Sequence, residues 1–321
     1  VRELELITAL EQALADGGPR VISSLGDDAA VVRARGYAVT SVDTMVEGIH
    51  FRAGDLSAEK IGHRALAAAL SDLAAMGAAP GEAYLALGLP ADTELAYALA
   101  LLGGAKALAE RTGVTIAGGD VTRCPTLVVS FTVVGWSDDP GEVVGRSGAQ
   151  IGDLVGVTGT LGEAGAGLAL LEDRAQLADP EQASALMERY ARPEPRLAEG
   201  RGLAQAGVHA MIDVSDGLAT DAGHIARRSG VRLELSLAAL PVSGPVANVA
   251  DQLGEDGRVL AATAGDDYEL CVCAPPKTRN AINAIVRGSV GVTWIGKVLD
   301  GPPGVEFADF PGELAGFEHK L

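Results

Sequence analysis

Along the chain the apolar positions switch between helical and strand spacing, and they do so in two successive sets. Residues 4–15 form a short helix by this spacing. Residues 37–42 are β-rich and run into Asp43. Ser57 suits the N-cap of a long Ala/Leu helix over 58–76, which Gly77 ends with Pro80 just beyond. A strand at 84–89, a helix at 93–111 stopped by Gly113, and strands at 114–117 and 127–134 complete the first set. Residues 137–152 are polar and rich in Gly, Asp and Pro, and the domain boundary is placed there, giving domains 1–140 and 141–321.

The second set starts with a strand at 154–157. A Gly-rich turn follows, with Gly156, Gly159, Gly162 and Gly165 at every third position. Helices are expected near 162–172, 181–190 and 195–206. A strand at 209–214 leads into a helix that Ser215 and Asp216 cap and that reaches about 229. Strands at 231–235, 269–273 and 292–295, with a helix near 277–287, finish the chain. No fixed-period repeat or low-complexity tract interrupts this order. The pattern predicts a two-domain α/β (α+β) protein.

Composition narrows the class. Of 321 residues, 48% are hydrophobic and only 4% aromatic, so Ala, Leu, Val and Gly must fill the cores. A net charge of −18 argues against nucleic acid, which needs a basic footprint. It also means that an anionic substrate must be met by local cations. The three cysteines, Cys124, Cys271 and Cys273, show no CxxC spacing and predict no disulfide framework or zinc knuckle. Cys271 and Cys273 fit one buried strand face. The N-terminal residues show no signal-peptide h-region, and no uninterrupted apolar stretch is long enough for a bilayer. A soluble cytoplasmic protein is expected.

The candidate chemistry lies in aspartates set in short Gly- or Ser-flanked motifs. These are Gly26-Asp27-Asp28, Ser41-Val42-Asp43, Ser71-Asp72, Gly118-Gly119-Asp120, Asp213-Val214-Ser215-Asp216 and Gly265-Asp266-Asp267. Carboxylates gathered by a fold repel unless cations lie between them. Hard oxygen ligands suit Mg²⁺, which typically serves substrate phosphates. Taken singly, each motif has a plainer explanation. Ser215 and Asp216 could simply cap a helix, Gly118-Gly119-Asp120 could be a tight turn, and Asp72 could lie on a solvated helix face. Asp213 goes beyond capping, because a cap needs one carboxylate. His50 is structural or catalytic. Arg146 is a surface charge or a phosphate clamp. Together the motifs point to a metal-dependent, phosphate-handling enzyme.

Absences sharpen this. There is no GxxxxGK[ST], since the only Gly-Lys, Gly296-Lys297, is followed by Val, and there is no GxGxxG, GxSxG or HExxH, so P-loop NTPases, protein kinases, Rossmann dehydrogenases, serine hydrolases of the elbow type and zincins are not signalled.

The ordered set Gly26–Ala29, Ser41–Phe51, Ser71–Ala78, Gly118–Thr122, Arg192–Arg196, Asp213–Leu218 and Asp266–Leu270 resembles the thiamine-monophosphate kinase family, in order and over nearly the whole chain. The resemblance implies an aminoimidazole-ribonucleotide-synthetase-like fold, with an N-terminal ATP/Mg-binding and dimerisation domain and a C-terminal α/β domain. It implies ATP-dependent conversion of thiamine monophosphate to thiamine diphosphate by a homodimer. Carried over by position, Asp28, Ser41, Val42 (through its backbone), Asp43, Asp72, Asp120, Asp213 and Asp216 would be Mg²⁺ ligands. Of these, Asp43, Asp72, Asp120 and Asp213 would be central to catalysis. Gly119, Asp120, Arg146 and Ser215 would meet the nucleotide, and His50, Asp266 and Phe317 the thiamine phosphate. Two positions depart from the family pattern. Asp266 stands where Glu is usual, one methylene shorter, and Phe317 where Trp or Tyr is common. The alternatives are another ATP-activating enzyme of the same superfold and a non-catalytic Mg²⁺ or nucleotide-binding relative.

Overall fold

The computed structural model describes residues 3–14, 18–24, 29–52 and 54–318. The chain forms two compact units, Val1–Leu73 with Ala78–Pro140, and Ala74–Gly77 with Gly141–Leu321.

The first unit runs α1 (Glu3–Ala13), β1 (Val21–Ser23), β2 (Val31–Val32), β3 (Tyr37–Val46), α2 (Ala58–Ala75), β4 (Ala79–Leu89), α3 (Leu95–Thr112), β5 (Thr115–Arg123) and β6 (Val128–Ser137). Its four-stranded sheet has the order β3-β6-β4-β5. Only β4 and β5 pair in parallel, and α3 makes the crossover that a parallel pair needs. Met45, Leu85, Leu87, Val129, Phe131 and Val133 are buried, while Val42 is 65% exposed, so the two sheet faces differ sharply. Helices α2 and α3 approach through glycines: a Cβ on Gly62 would lie 1.9 Å from the Leu101 carbonyl oxygen, and one on Gly104 would lie 1.8 Å from that of Glu59. Gly113 ends α3 in the left-handed conformation, φ 74°.

Two strand expectations need correction. β3 pairs with β6 as far as Val46, so Asp43 lies within a strand rather than at its end. The segment Gly118-Gly119-Asp120 is not a tight turn but part of β5, in register with Tyr84, Leu85 and Ala86. Its glycines serve close strand approach: a Cβ on Gly119 would sit 2.1 Å from the Leu85 carbonyl oxygen. Pro80, expected to follow the helix, is the second residue of β4 beside a bulge, where the ladder tolerates it.

The second unit runs β7 (Leu154–Thr158), α4 (Glu163–Leu171), α5 (Pro180–Ala191), α6 (Leu197–Gln205), β8 (Ala210–Asp213), α7 (Leu218–Ser229), β9 (Arg232–Leu235), α8 (Gly244–Leu253), α9 (Gly257–Thr263), β10 (Leu270–Ala274), α10 (Arg279–Val286), β11 (Val292–Leu299) and β12 (Gly304–Phe307). The six-stranded sheet has the order β12-β9-β11-β7-β10-β8, antiparallel except for β12 with β9. β10 is buried throughout, so Cys271 and Cys273 are core residues. Helices α8 and α9 and strand β12 are not among the elements expected from the sequence, although Val246, Val249, Ala250 and Leu253 recur at helical spacing in α8. Pro245 opens α8, Gly254 closes it at φ 79°, and Asp256 caps α9 by accepting the Arg258 N–H at 2.7 Å. Among the described residues, no helix is long and apolar enough to cross a membrane.

Candidate active site

In the N-terminal unit, Ser41 and Asp72 come together. The Ser41 hydroxyl donates to the Asp72 carboxylate, so Asp72 turns from α2 toward β3 instead of toward solvent. Asp43 lies on β3 two residues from Ser41, on the same strand face. Its Oδ1 accepts the Thr44 N–H at 2.7 Å, and its carbonyl accepts the Ser130 hydroxyl at 3.0 Å. Asp120 takes a different row of the sheet. It pairs with Ala86, in the row of Ser130 and Thr44, whereas Asp43 pairs with Phe131 in the row of Leu85 and Gly119. Adjacent rows face opposite sides, so Asp120 is on the face away from Asp43. The turn after β3 holds His50, whose Nδ1 accepts the Val46 N–H at 3.0 Å, which fixes the ring's orientation. Gly48 allows that turn at φ 82°. Asp28 lies outside the described residues.

In the C-terminal unit the apolar strand β8 delivers Asp213 to its end, opposite Leu270 and 4% exposed. The segment that follows differs from expectation. Ser215 and Asp216 do not cap α7; the cap position is Gly217, with φ 103°, and it makes no side-chain cap bond. The capping runs in reverse. Asp221, inside the first turn of α7 and 2% exposed, reaches back to accept the N–H groups of Ser215 and Asp216, each at 3.0 Å. Burial and the negative charge of Asp213 push the Asp221 carboxyl up to about 8, against the pull of those two amides. Asp221 was not among the residues singled out from the sequence. Its position three residues after Leu218 and four before Ile225 places it on the buried stripe of α7, and that spacing was the available signal.

The carbonyls of the same dipeptide are also engaged. The Asp266 N–H donates to the Ser215 carbonyl at 2.8 Å, and the Phe317 N–H donates to the Asp216 carbonyl at 2.8 Å. So the structure brings Ser215, Asp216, Asp266 and Phe317 together. Asp266 and Tyr268 both hold positive φ, 69° and 50°, uncommon for residues with a side chain. The Tyr268 hydroxyl donates to Asp266 Oδ1 at 3.2 Å. Phe317 is 51% exposed. Arg146 is exposed; its carbonyl accepts the Ser229 hydroxyl at 3.2 Å, and its charge bears on His224, as does that of Asp216.

Between Asp266 and β10 the turn buries two more acids. Asp267 accepts the N–H groups of Gly162 and Ala164 at 2.6 and 3.2 Å, which caps α4 from across the unit. Burial lifts its carboxyl to about 7, despite these amides and Arg189. Glu269, fully buried, accepts from Arg196 through both carboxylate oxygens, from Arg189 at 3.0 Å and from the Thr158 hydroxyl at 2.7 Å. This explains the Arg192–Arg196 motif structurally: it supplies the countercharge of a buried Glu.

The oxygen-rich donors fit a hard divalent cation. Ser41 with Asp72 offers a hydroxyl and a carboxylate, and Asp213 and Asp216 offer two carboxylates whose charge bears on the buried Asp221 behind them. Among the described residues, however, no three His, Cys, Asp or Glu side chains already cluster as a metal site would require.

The chain is similar to known proteins over most of its length. The model of the AIR synthase related protein N-terminal domain matches residues 26–137, and that of the corresponding C-terminal domain matches 150–308. A thiamine-monophosphate kinase of Mycobacterium tuberculosis is 38% identical over 290 residues, 88% of this chain and 80% of the relative. The crystal structure of thiamine-monophosphate kinase from Stenotrophomonas maltophilia K279a superposes with a TM-score of 0.84 at 36% identity, covering 94% of this chain and 96% of that one. AaThiL complexed with AMPPCP and TMP superposes at 0.80 with 31% identity, covering 99% and 97%. Hydrogenase maturation protein HypE from E. coli shares the fold, at a TM-score of 0.76 and 22% identity, covering 95% of this chain and 93% of that one.

Proposed function

The chain belongs to the AIR synthase related family and, within it, to the thiamine-monophosphate kinases, and on that premise we propose that it transfers the γ-phosphoryl group of ATP to thiamine monophosphate, yielding thiamine diphosphate. The observation that carries the reading is the match, across nearly the whole chain, to a relative solved with AMPPCP and TMP.

The acceptor is itself a phosphate monoester. Its second pKa is ~6, so at neutral pH it is largely a dianion and needs no general base. The barrier is the approach of two anions in line. Ser41, the Val42 backbone, Asp43 and Asp72, with Asp28, would hold Mg²⁺ in the N-terminal unit, where Asp120, on the opposite sheet face from Asp43, would serve a separate ion; Asp213 and Asp216 would hold Mg²⁺ in the C-terminal unit. When bound, Mg²⁺ supplies the positive charge that offsets phosphate repulsion. Ser215, Gly119, Asp120 and Arg146 orient the nucleotide. Asp266 and the exposed Phe317 hold the thiamine phosphate, and His50 contributes from its fixed ring. The protein acts as a homodimer in the cytoplasm.

The test is an ADP-release assay with thiamine monophosphate, free thiamine and aminoimidazole precursors offered separately, with products identified by mass spectrometry. Thiamine diphosphate formed from the monophosphate alone, and lost on adding EDTA, is the expected result. ATP binding without turnover of the monophosphate would reassign the chain to a sister activity of the fold.

A further inference from the structure

The Ser215–Asp216 dipeptide has both amides and both carbonyls held within the C-terminal unit, and the holders form a pattern. Asp221 takes both amides on one oxygen, Oδ2, at 3.0 Å each. The Asp266 and Phe317 amides take the two carbonyls at 2.8 Å each. Each of those donors follows a glycine that leaves no room for a side chain. A Cβ on Gly265 would lie 2.3 Å from the Ser215 carbonyl oxygen, and one on Gly316 would lie 1.8 Å from that of Asp216. The Gly316 N–H is anchored on the Thr220 hydroxyl at 2.8 Å, next to Asp221.

We propose that Asp221 is a positioning residue for phosphoryl transfer: it fixes the Ser215–Asp216 peptide, and through that peptide sets the nucleotide-facing groups against Asp266 and Phe317. The proposal rests on the kinase reading for its roles. Its geometric content, one acceptor oxygen fixing two amides, stands apart from the identity of the acceptor substrate.

The test compares Asp221→Asn with Asp221→Ala in the full chain. Asn keeps an sp² oxygen able to accept both amides. Its kcat/KM for ATP should stay within roughly threefold of the parent. Ala leaves two amides unheld, and displacement of a positioned group by about 1 Å costs on the order of 100-fold. That loss should appear per folded molecule, with folded fraction measured by denaturant titration. Equal activity of Ala and Asn would overturn the proposal, as would equal impairment of both, since charge rather than acceptor geometry would then matter. Gly316→Ala pushes on the Asp216 carbonyl of the same dipeptide, and so covers the case in which Asp221→Ala fails to fold. It should lower kcat/KM for thiamine monophosphate by about tenfold, and parental kinetics would overturn the link. ATP affinity measured by calorimetry with Mg²⁺ separates the two readings. If the parent binds ATP but does not turn over the monophosphate, the kinase reading fails, and the Ala-versus-Asn difference in affinity still decides the role of Asp221.

Discussion

The C-terminal unit buries acids at two places and treats them in opposite ways. At the turn 266–269, Asp267 and Glu269 meet backbone amides, a threonine hydroxyl and the guanidinium groups of Arg189 and Arg196. At the loop 213–221, Asp221 also meets two amides, but the charges that act on it come from Asp213 and Asp216 and are of its own sign. The first place is a neutralised frame. The second is held in position among like charges, and burial together with those charges pushes the Asp221 carboxyl toward its neutral form. Burial alone therefore does not separate a structural acid from a functional one; the sign of its neighbours does.

Glu269→Ala should produce the largest effect, because it strands two arginines around a buried gap. A loss of about 3–5 kcal/mol in urea unfolding is expected. A loss below about 1 kcal/mol would break the comparison. Asp213→Asn should act oppositely. Turnover should fall by about 100- to 1000-fold while the unfolding midpoint holds or rises, since a like charge beside Asp221 is gone. A lower midpoint with unchanged turnover per folded molecule would place Asp213 in the frame instead. Next in size is Gly159→Ala. Gly159 has φ 58°, and its Cβ would lie 2.3 Å from the Glu269 carboxylate, so strain and contact together should cost about 2 kcal/mol without changing KM.

The smallest effect is a slope. Burial raises the Asp267 carboxyl to about 7 from an ordinary value of 3.8. The native state then keeps a proton that the unfolded chain has lost. The stability from this group is complete below about pH 4 and is lost as pH rises through about 7. Asp267→Asn should flatten that part of the pH dependence, as measured by urea titrations at several pH values.

The sequence carried the strands and helices whose apolar rhythm was long, and it carried Asp213, because an apolar run ending in Asp marks a strand end. It misplaced features that depend on contacts between distant residues. The β-rich run 37–42 put Asp43 at a strand terminus, whereas β6 continues the ladder to Val46. Ser215 and Asp216 have the chemistry of caps, but the helix starts after Gly217 and Asp221 takes the amides. Glu269 stood inside a recognised motif, yet its role needs Arg189, about eighty residues earlier, and Arg196. The placement of Asp120 on the opposite sheet face follows from register, which no local pattern supplies.

The reversed capping by Asp221 has a consequence for time scales. Residues 215–216 have no regular secondary structure, yet their amides hang on a buried oxygen of α7. Exchange of these two amides with deuterated water should therefore follow the opening of the first turn of α7 and not the rapid motion of a free loop. In such an experiment the dipeptide would register as part of the helix.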